Sequence, residues 1–264
     1  MTPRQIASDL DGTLIPPGPH AAHDDALAVM ADAAARGRIE LAYITGRHLS
    51  LALEGITTAG LPLPARLFCD VGTSLHHRVG DEYVQDEAFR AAMRDAFGAT
   101  APGELRERLR SIADLEPQAD DRQAEFKLSF VVRAGPLEPV VASVRTCLGA
   151  EAAQVTMVSS HDPLTGVGLV DILPRASGKR RALDWLTGSL ALGQGDVLFA
   201  GDSGNDRDAL LSGHPAVLVG NAPEALRADL TAAAREAGLA ERLYCAEGPF
   251  AVGVVEGARF FKFI

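Results

Sequence analysis

Four short polar segments carry residue types that could do chemistry, and each follows a run of apolar residues. The first is Asp9-Leu10-Asp11-Gly12-Thr13. Two carboxylates two residues apart, with a permissive glycine behind them, can aim at one point. One could serve as nucleophile or metal ligand and the other as proton donor, because metal charge and mutual repulsion drive two neighbouring carboxyl pKa values apart. Read alone, the same turn is also compatible with a simple Asx turn. The second segment is Thr45-Gly46-Arg47, after IELAYI. A hydroxyl and a backbone N–H at a helix N-terminus make an anion nest, and a Thr N-cap with Gly in a tight turn reads equally well.

The third segment is Lys179, in ASGKRRALDWL. Only Lys127, Lys179 and Lys262 are lysines among 25 basic residues. In so arginine-biased a chain a lysine marks a place that needs a compact point charge rather than a fork. It is not a Walker lysine, since no glycine lies five residues before Gly178 and Arg180 follows. The fourth is Gly201-Asp202-Ser203-Gly204-Asn205-Asp206, after DVLFA. Two carboxylates four apart on a turn entering a helix can share a hard cation, and Mg2+ suits a few carboxylates plus water and phosphate oxygens. The bland alternative is an acidic turn with Asp206 set against the helix dipole.

The elements that must position these groups follow from periodicity. Residues 3–8, 39–45, 66–71, 196–201, 215–219 and 242–245 read as short strands. Helical stretches alternate with them at 21–36, 47–59, 178–190, 205–212, 223–236 and 249–261. That alternation argues an α/β fold, a parallel sheet with helices on both faces. Ligands of such a sheet bind at the C-terminal strand ends, where all four segments sit. Between residues 82 and 173 the pattern changes. A hairpin (73–77 and 82–85) leads into helices near 86–97 and 102–114. A strand at 125–133 alternates strictly, with Lys127 and Ser129 on its polar face, and a helix (137–148) and strands near 153–159 and 167–173 follow. One-sided patterning of this kind predicts an inserted α+β domain with an antiparallel sheet open on one face. The expected division is 1–81 plus 174–264 for the core and 82–173 for the insertion.

Composition narrows the function. The chain has 264 residues, is 47% hydrophobic and 23% charged, and carries a net charge of −10. So acidic a protein is not expected to grasp nucleic acid or an anionic membrane by bulk charge. Cys69, Cys147 and Cys245 are widely spaced, with no CxxC pair, so neither a zinc knuckle nor a disulfide framework is indicated. No apolar run approaches the ~18 residues of a membrane span, and the opening MTPRQIASDLDGTL has no secretory h-region. The cytoplasm is the expected compartment, and a monomer or weak homo-oligomer the expected state. The cluster His20, His23, Asp24 and Asp25 reads as a helix N-terminal turn rather than a metal site, and His76-His77 and His161-Asp162 as exposed polar positions.

Taken together, the four segments resemble the four motifs of the haloacid dehalogenase superfamily of phosphatases. SDLDGTL, ITGR, DVGTSL (70–75), FKLSFVV, VDILPRASGK (170–179), GDSGND, VGNAPEAL (219–226) and GVVEGARFFKF (253–263) look like its sucrose-phosphate phosphatase branch. The resemblance implies a Rossmann-like, doubly wound core with residues 82–173 as an α/β cap. It implies that Asp9 attacks phosphorus, that Asp11 protonates the leaving sugar oxygen and later deprotonates water, and that Thr45 and the Gly46 N–H hold phosphoryl oxygens. Lys179 would offset charge, and Asn205 would orient Lys179 or the phosphate. Mg2+ would be held by Asp9, the Asp11 carbonyl, Asp202 and Asp206. Lys127 and Ser129 would contact the sugar, with Arg47, His48, Glu54 and Asp171 as further substrate contacts. The implied partner is a small phosphorylated sugar. Sucrose 6-phosphate comes first, followed by mannosylfructose-phosphate, a glycosyl-glycerol phosphate or a glycosyl-3-phosphoglycerate. Rival readings are a sugar phosphomutase and a non-catalytic sugar-phosphate-binding module.

Overall fold

The computed structural model describes residues 3–98, 102–133, 136–161, 166–175 and 177–264. The chain begins with β1 (Arg4–Ser8), α1 (His23–Ala35), β2 (Ile39–Ile44), α2 (Leu49–Thr58), β3 (Arg66–Cys69), β4 (Ser74–Val79) and β5 (Glu82–Gln85). It continues with α3 (Glu87–Phe97), α4 (Pro102–Leu109), β6 (Leu115–Pro117), β7 (Leu128–Val132), α5 (Leu137–Leu148), β8 (Val155–His161) and β9 (Gly168–Pro174). It ends with α6 (Lys179–Ser189), β10 (Val197–Gly201), α7 (Arg207–Leu210), β11 (Ala216–Leu218), α8 (Glu224–Glu236), β12 (Leu243–Cys245) and α9 (Phe250–Phe260).

Two compact units result. One comprises the chain up to Gly72, His76–Val84 and Lys179–Ile264; the other comprises Thr73–Leu75 and Gln85–Gly178. In the first unit eight strands form one sheet in the order β12-β11-β10-β1-β2-β3-β4-β5. The six strands from β12 to β3 pair in parallel. β1 lies between β2 and β10, so the chain winds outward one way through β2 and β3 and the other way through β11 and β12. The order reverses beside β1, and the C-terminal ends of β1 and β10 flank the switch point where open α/β sheets bind ligands. Asp9 directly follows β1, and Asp202 directly follows β10.

Period-two alternation decides which strand residues bind which helices. Ile6, Leu41, Tyr43, Leu67, Leu198 and Val217 share one core with Leu27 and Met30 of α1, Ile56 of α2 and Val254 of α9. Each fully buried aliphatic side chain contributes roughly 1.5–3 kcal/mol by leaving water. Phe199 alternates to the opposite face, and α6 and α7 contact β10. Helix starts follow local chemistry. Asp24 and Asp25 stand in the first turn of α1 against its dipole, and Asp86 caps α3 by accepting from the Phe89 N–H at 2.8 Å.

The second unit holds an antiparallel sheet in the order β6-β7-β9-β8. Leu128, Phe130, Val132, Val170 and Ile172 are buried. Four expectations need correction here. The helix expected over 102–114 stops at Leu109, and beyond it a three-residue strand that was not expected, β6, pairs with β7. The strand expected from residue 125 starts at Leu128, because Ala124 and Lys127 exchange backbone hydrogen bonds in a tight turn. The polar positions expected on an open face are enclosed: Ser129 is 1% exposed and Lys127 8%. The Ser129 hydroxyl donates to Asp171 Oδ1 at 2.6 Å, which satisfies it without solvent. In the first unit His76, expected to be exposed, is buried in β4, and burial lowers its pKa. His161 ends β8, and Asp162 lies outside the described residues.

Candidate active site

At the sheet's switch point, chain segments nearly 200 residues apart converge on one buried lysine. Lys179 opens α6 and is 4% exposed. Its Nζ lies 2.8 Å from Asp9 Oδ2, donates to Asp206 Oδ1 at 2.6 Å and to Asn205 Oδ1 at 3.0 Å. Three acceptors around one nitrogen match the three donors of an ammonium. Asp9 is also pinned from its other side, where Oδ1 accepts from the Leu10 N–H at 2.8 Å. Asp206 is fully buried, and its Oδ2 accepts from the backbone N–H groups of Asp202 and Ser203 at 3.1 and 3.0 Å. Asp202 is held by Thr13, whose Oγ1 donates to Oδ1 at 2.8 Å.

Asp9, Asp202 and Asp206 each offer an oxygen, and these oxygens lie within 4.8 Å of one another. The charge there is unbalanced: three carboxylates face one ammonium. Burial pushes Asp9 up to about 7; Lys179 opposes this, while Asp206 and Asp202 add to it. Burial likewise pushes Asp202 up to about 6, with the Thr13 hydrogen bond opposing and Asp206 adding. Burial alone would lower the Lys179 ammonium, but Asp206 and Asp9 outweigh it and hold Lys179 above the ordinary lysine value. Burial raises these carboxyl pKa values and the neighbouring carboxylates add to the rise, a cost that a divalent cation would relieve, and an all-oxygen donor set suits Mg2+. Two glycines make the room. A Cβ on Gly12 would collide with the Asp202 carboxylate, and one on Gly201 with that of Asp206. The residues present therefore fit a hard cation.

The neighbouring loops complete the site. Thr45 is buried just after β2, and its Oγ1 accepts from the Arg47 N–H at 3.2 Å; Gly46 beside it is exposed. The turn after β3 braces this loop. Asp70 N–H donates to the Arg47 carbonyl at 2.9 Å and Val71 N–H to the Thr45 carbonyl at 3.0 Å. Asp70, Val71 and Gly72 all take positive φ, at 55°, 61° and 74°. For a β-branched residue such as Val71 this costs on the order of 1–3 kcal/mol, and it persists because the hydrogen bonds over-determine it. Arg47, expected to contact substrate, grips Asp11, with Nε on Oδ2 at 2.8 Å and Nη2 on Oδ1 at 2.5 Å. His48, another expected substrate contact, caps α2 by accepting from Leu51 N–H at 3.4 Å. Glu54 is exposed on α2, and Asp171 pairs with Ser129 in the second unit.

Two contributors were not assigned a role from sequence. Thr13 sits inside the first motif, but its partner Asp202 is 189 residues away. Asn221 donates to the Gly12 carbonyl at 2.8 Å and accepts from Phe250 N–H at 2.9 Å, tying the Asp9–Thr13 turn to the start of α9. VGNAPEAL contains it, yet spacing alone names no partner for it.

A family model described as sucrose-6F-phosphate phosphohydrolase matches residues 2–262. The chain belongs to this family. Its fold is that of haloacid dehalogenase-type sugar phosphatases, and it is a hydrolase of that superfamily. A sucrose-phosphatase from Synechocystis, solved in complex with sucrose and phosphate, superposes with a TM-score of 0.79 at 25% identity, covering 99% of each chain. A HAD-like hydrolase of Nitrosococcus oceani is 32% identical over 97% of this chain and 71% of its own length. The mannosylfructose-phosphate phosphatase of Agrobacterium fabrum is 28% identical over 97% of this chain and 96% of its own. Among the described residues of this phosphohydrolase, no helix is long and apolar enough to cross a membrane.

Proposed function

We propose that this chain hydrolyses a phosphorylated disaccharide, sucrose 6-phosphate in the first place, through a phosphorylated Asp9. The observation that carries the reading is the convergence of Asp9, Asp202 and Asp206 on Lys179 at the switch point. In the first half-reaction an Asp9 oxygen forms a bond to phosphorus as the bond from phosphorus to the sugar oxygen breaks. The departing pair stays on that oxygen, which takes a proton from Asp11. In the second, Asp11 takes a proton from water, the water oxygen bonds to phosphorus, and Asp9 leaves as a carboxylate. Thr45 and the Gly46 N–H hold phosphoryl oxygens, and Asn205 keeps Lys179 aimed at the charge that builds up. Mg2+, held by Asp9, the Asp11 carbonyl, Asp202 and Asp206, would supply the positive charge that lets a carboxylate approach an anionic ester.

The second unit, read as a cap spanning about residues 82–173, would supply sugar contacts through Lys127 and Ser129. A cytoplasmic location and a monomeric or weakly associating state belong to the same proposal. The deciding experiment is a panel of sucrose 6-phosphate, mannosylfructose-phosphate, glucosylglycerol-phosphate and glucosyl-3-phosphoglycerate with detection of released phosphate. The expected result is Mg2+-dependent release, fastest from a disaccharide phosphate. Isomerised product without phosphate release would mean a mutase. Binding without turnover would mean a sugar-phosphate-binding module.

The pH behaviour of the metal-free protein follows from the acidic cluster. A carboxyl whose folded pKa is raised adds stability below its unfolded value and loses it as pH rises through the folded value. Without a divalent cation, stability should therefore decline between pH 3.8 and about 7 as Asp202 and then Asp9 ionise. Cation binding opposes that loss only where the protons have already left. Adding Mg2+ should raise the melting temperature clearly at pH 7.5 and much less at pH 5. Equal shifts at the two values, read by scanning fluorimetry, would count against a cation at these acids.

A further inference from the structure

All three nitrogens of the Arg47 guanidinium are engaged within the protein. Nε and Nη2 form a fork on the two oxygens of Asp11, at 2.8 and 2.5 Å, and Nη1 donates to the Leu51 carbonyl of α2 at 3.1 Å. Its backbone is held by Thr45 Oγ1 and by Asp70 N–H. Its side chain is 22% exposed, against 55% for Asp11, so the arginine is the more enclosed of the two partners. Nη1 of the guanidinium lies against Gly55, where a Cβ would overlap it. A glycine in the middle of a helix is unfavourable unless something needs the space, and here that something is Arg47.

We propose that Arg47, seated on Gly55, is a positioning residue that orients the Asp11 carboxyl for proton transfer, rather than a ligand of the phosphoryl group. This rests on the reaction proposed above. A fork on both carboxylate oxygens fixes the plane of the group as well as its position, which a single hydrogen bond does not. Carrying its proton on one oxygen, Asp11 keeps the other on the guanidinium, and this contact aims the O–H at the leaving oxygen; after delivery both oxygens accept from the fork. That orientation has little to govern when the leaving group departs as a stable anion.

That difference supplies the test. A glycosyl phosphate expels a strongly basic alkoxide and needs the proton; p-nitrophenyl phosphate expels a weakly basic phenolate and does not. Moreover, kcat/KM reports only steps up to the first irreversible one, the attack by Asp9. Arg47→Gln should lower kcat/KM on the best glycosyl phosphate by ~100-fold, the usual worth of a general acid, and on p-nitrophenyl phosphate by less than about fivefold. Gly55→Ala should give a smaller loss with the same selectivity. It keeps the arginine, favours the helix, and pushes the guanidinium towards a cleft of about 630 Å3 lined by Ile15, Pro16, His23, Leu51 and Glu54, which has room for it. Equal losses on both esters, a rise in KM alone, or wild-type selectivity in Gly55→Ala would overturn the assignment. Failure of the underlying reaction would look different: the wild type would hydrolyse neither ester with Mg2+, or Asp9→Asn would hydrolyse both.

Discussion

Asp9→Asn should abolish phosphate release, with turnover down by about 10^4-fold or more, some 5.5 kcal/mol of transition-state stabilisation. The substitution preserves volume and can keep the hydrogen bond from Leu10 N–H, but an amide cannot form the bond to phosphorus. The fold should not suffer. Asp9 is 5% exposed, and burial, helped by Asp206 and Asp202, outweighs the attraction of Lys179, so removing its charge relieves at least as much as the lost contact to Lys179 costs. The melting temperature of Asp9→Asn should equal or exceed that of the wild type, most visibly at pH 8 without metal, where Asp9 would otherwise be ionised. Full turnover in Asp9→Asn, by phosphate release in single and multiple turnover, would remove Asp9 as the nucleophile.

Lys179→Met should damage both stability and chemistry. The ammonium is the neutralising charge for two buried carboxylates, at 2.8 and 2.6 Å, and Asn205 loses its donor as well. Removing one partner of a buried ion pair costs roughly 3–5 kcal/mol, because the charges left behind have no water to turn to. The loss should grow from pH 5 to pH 8, since Asp9 escapes by holding its proton only in the acidic part of that range. Millimolar Mg2+ should restore much of the melting temperature and little of the activity, which should stay down by about 10^3-fold. Lys179→Arg should not rescue, because the three acceptors surround one nitrogen and a planar fork cannot meet them. Chemical denaturation with and without Mg2+ at both pH values, beside initial rates, checks the two halves separately. A stable, active Lys179→Met would show that the cluster is not organised around this charge.

The parts of the structure that could be read from sequence are those whose cause is local. IELAYI and DVLFAG are apolar runs between helical segments, and they lie in the parallel sheet as expected. The helix at 137–148 was bounded by its own periodicity. Asp9, Lys179, Asp202, Asn205 and Asp206 stood out because each follows a strand or opens a helix at the sheet's C-terminal edge, where folding brings distant segments together. What escaped depends on partners that no spacing reveals. β6 is three residues long and ends in Pro117, so its existence depends on pairing with β7. Arg47 carries a charge that suits a phosphate as well as a carboxylate, and only the folded loop, with Gly55 beneath, turns it to Asp11. Thr13 and Asn221 act across 189 and 209 residues, respectively. Ser129 and Lys127 alternate like a solvated face, yet both are enclosed.

Transfer of the phosphoryl group to the Asp9 side chain is a covalent step that can be caught. Enzyme in excess over a glycosyl phosphate, quenched in acid within milliseconds and reduced with borohydride, should yield homoserine in place of aspartate at position 9. Peptide mass spectrometry would detect it, and the signal should require both substrate and Mg2+. Efficient phosphate release with residue 9 recovered only as aspartate, and with inversion of configuration at a chiral phosphorus, would show that water attacks directly and that Asp9 never carries the phosphoryl group.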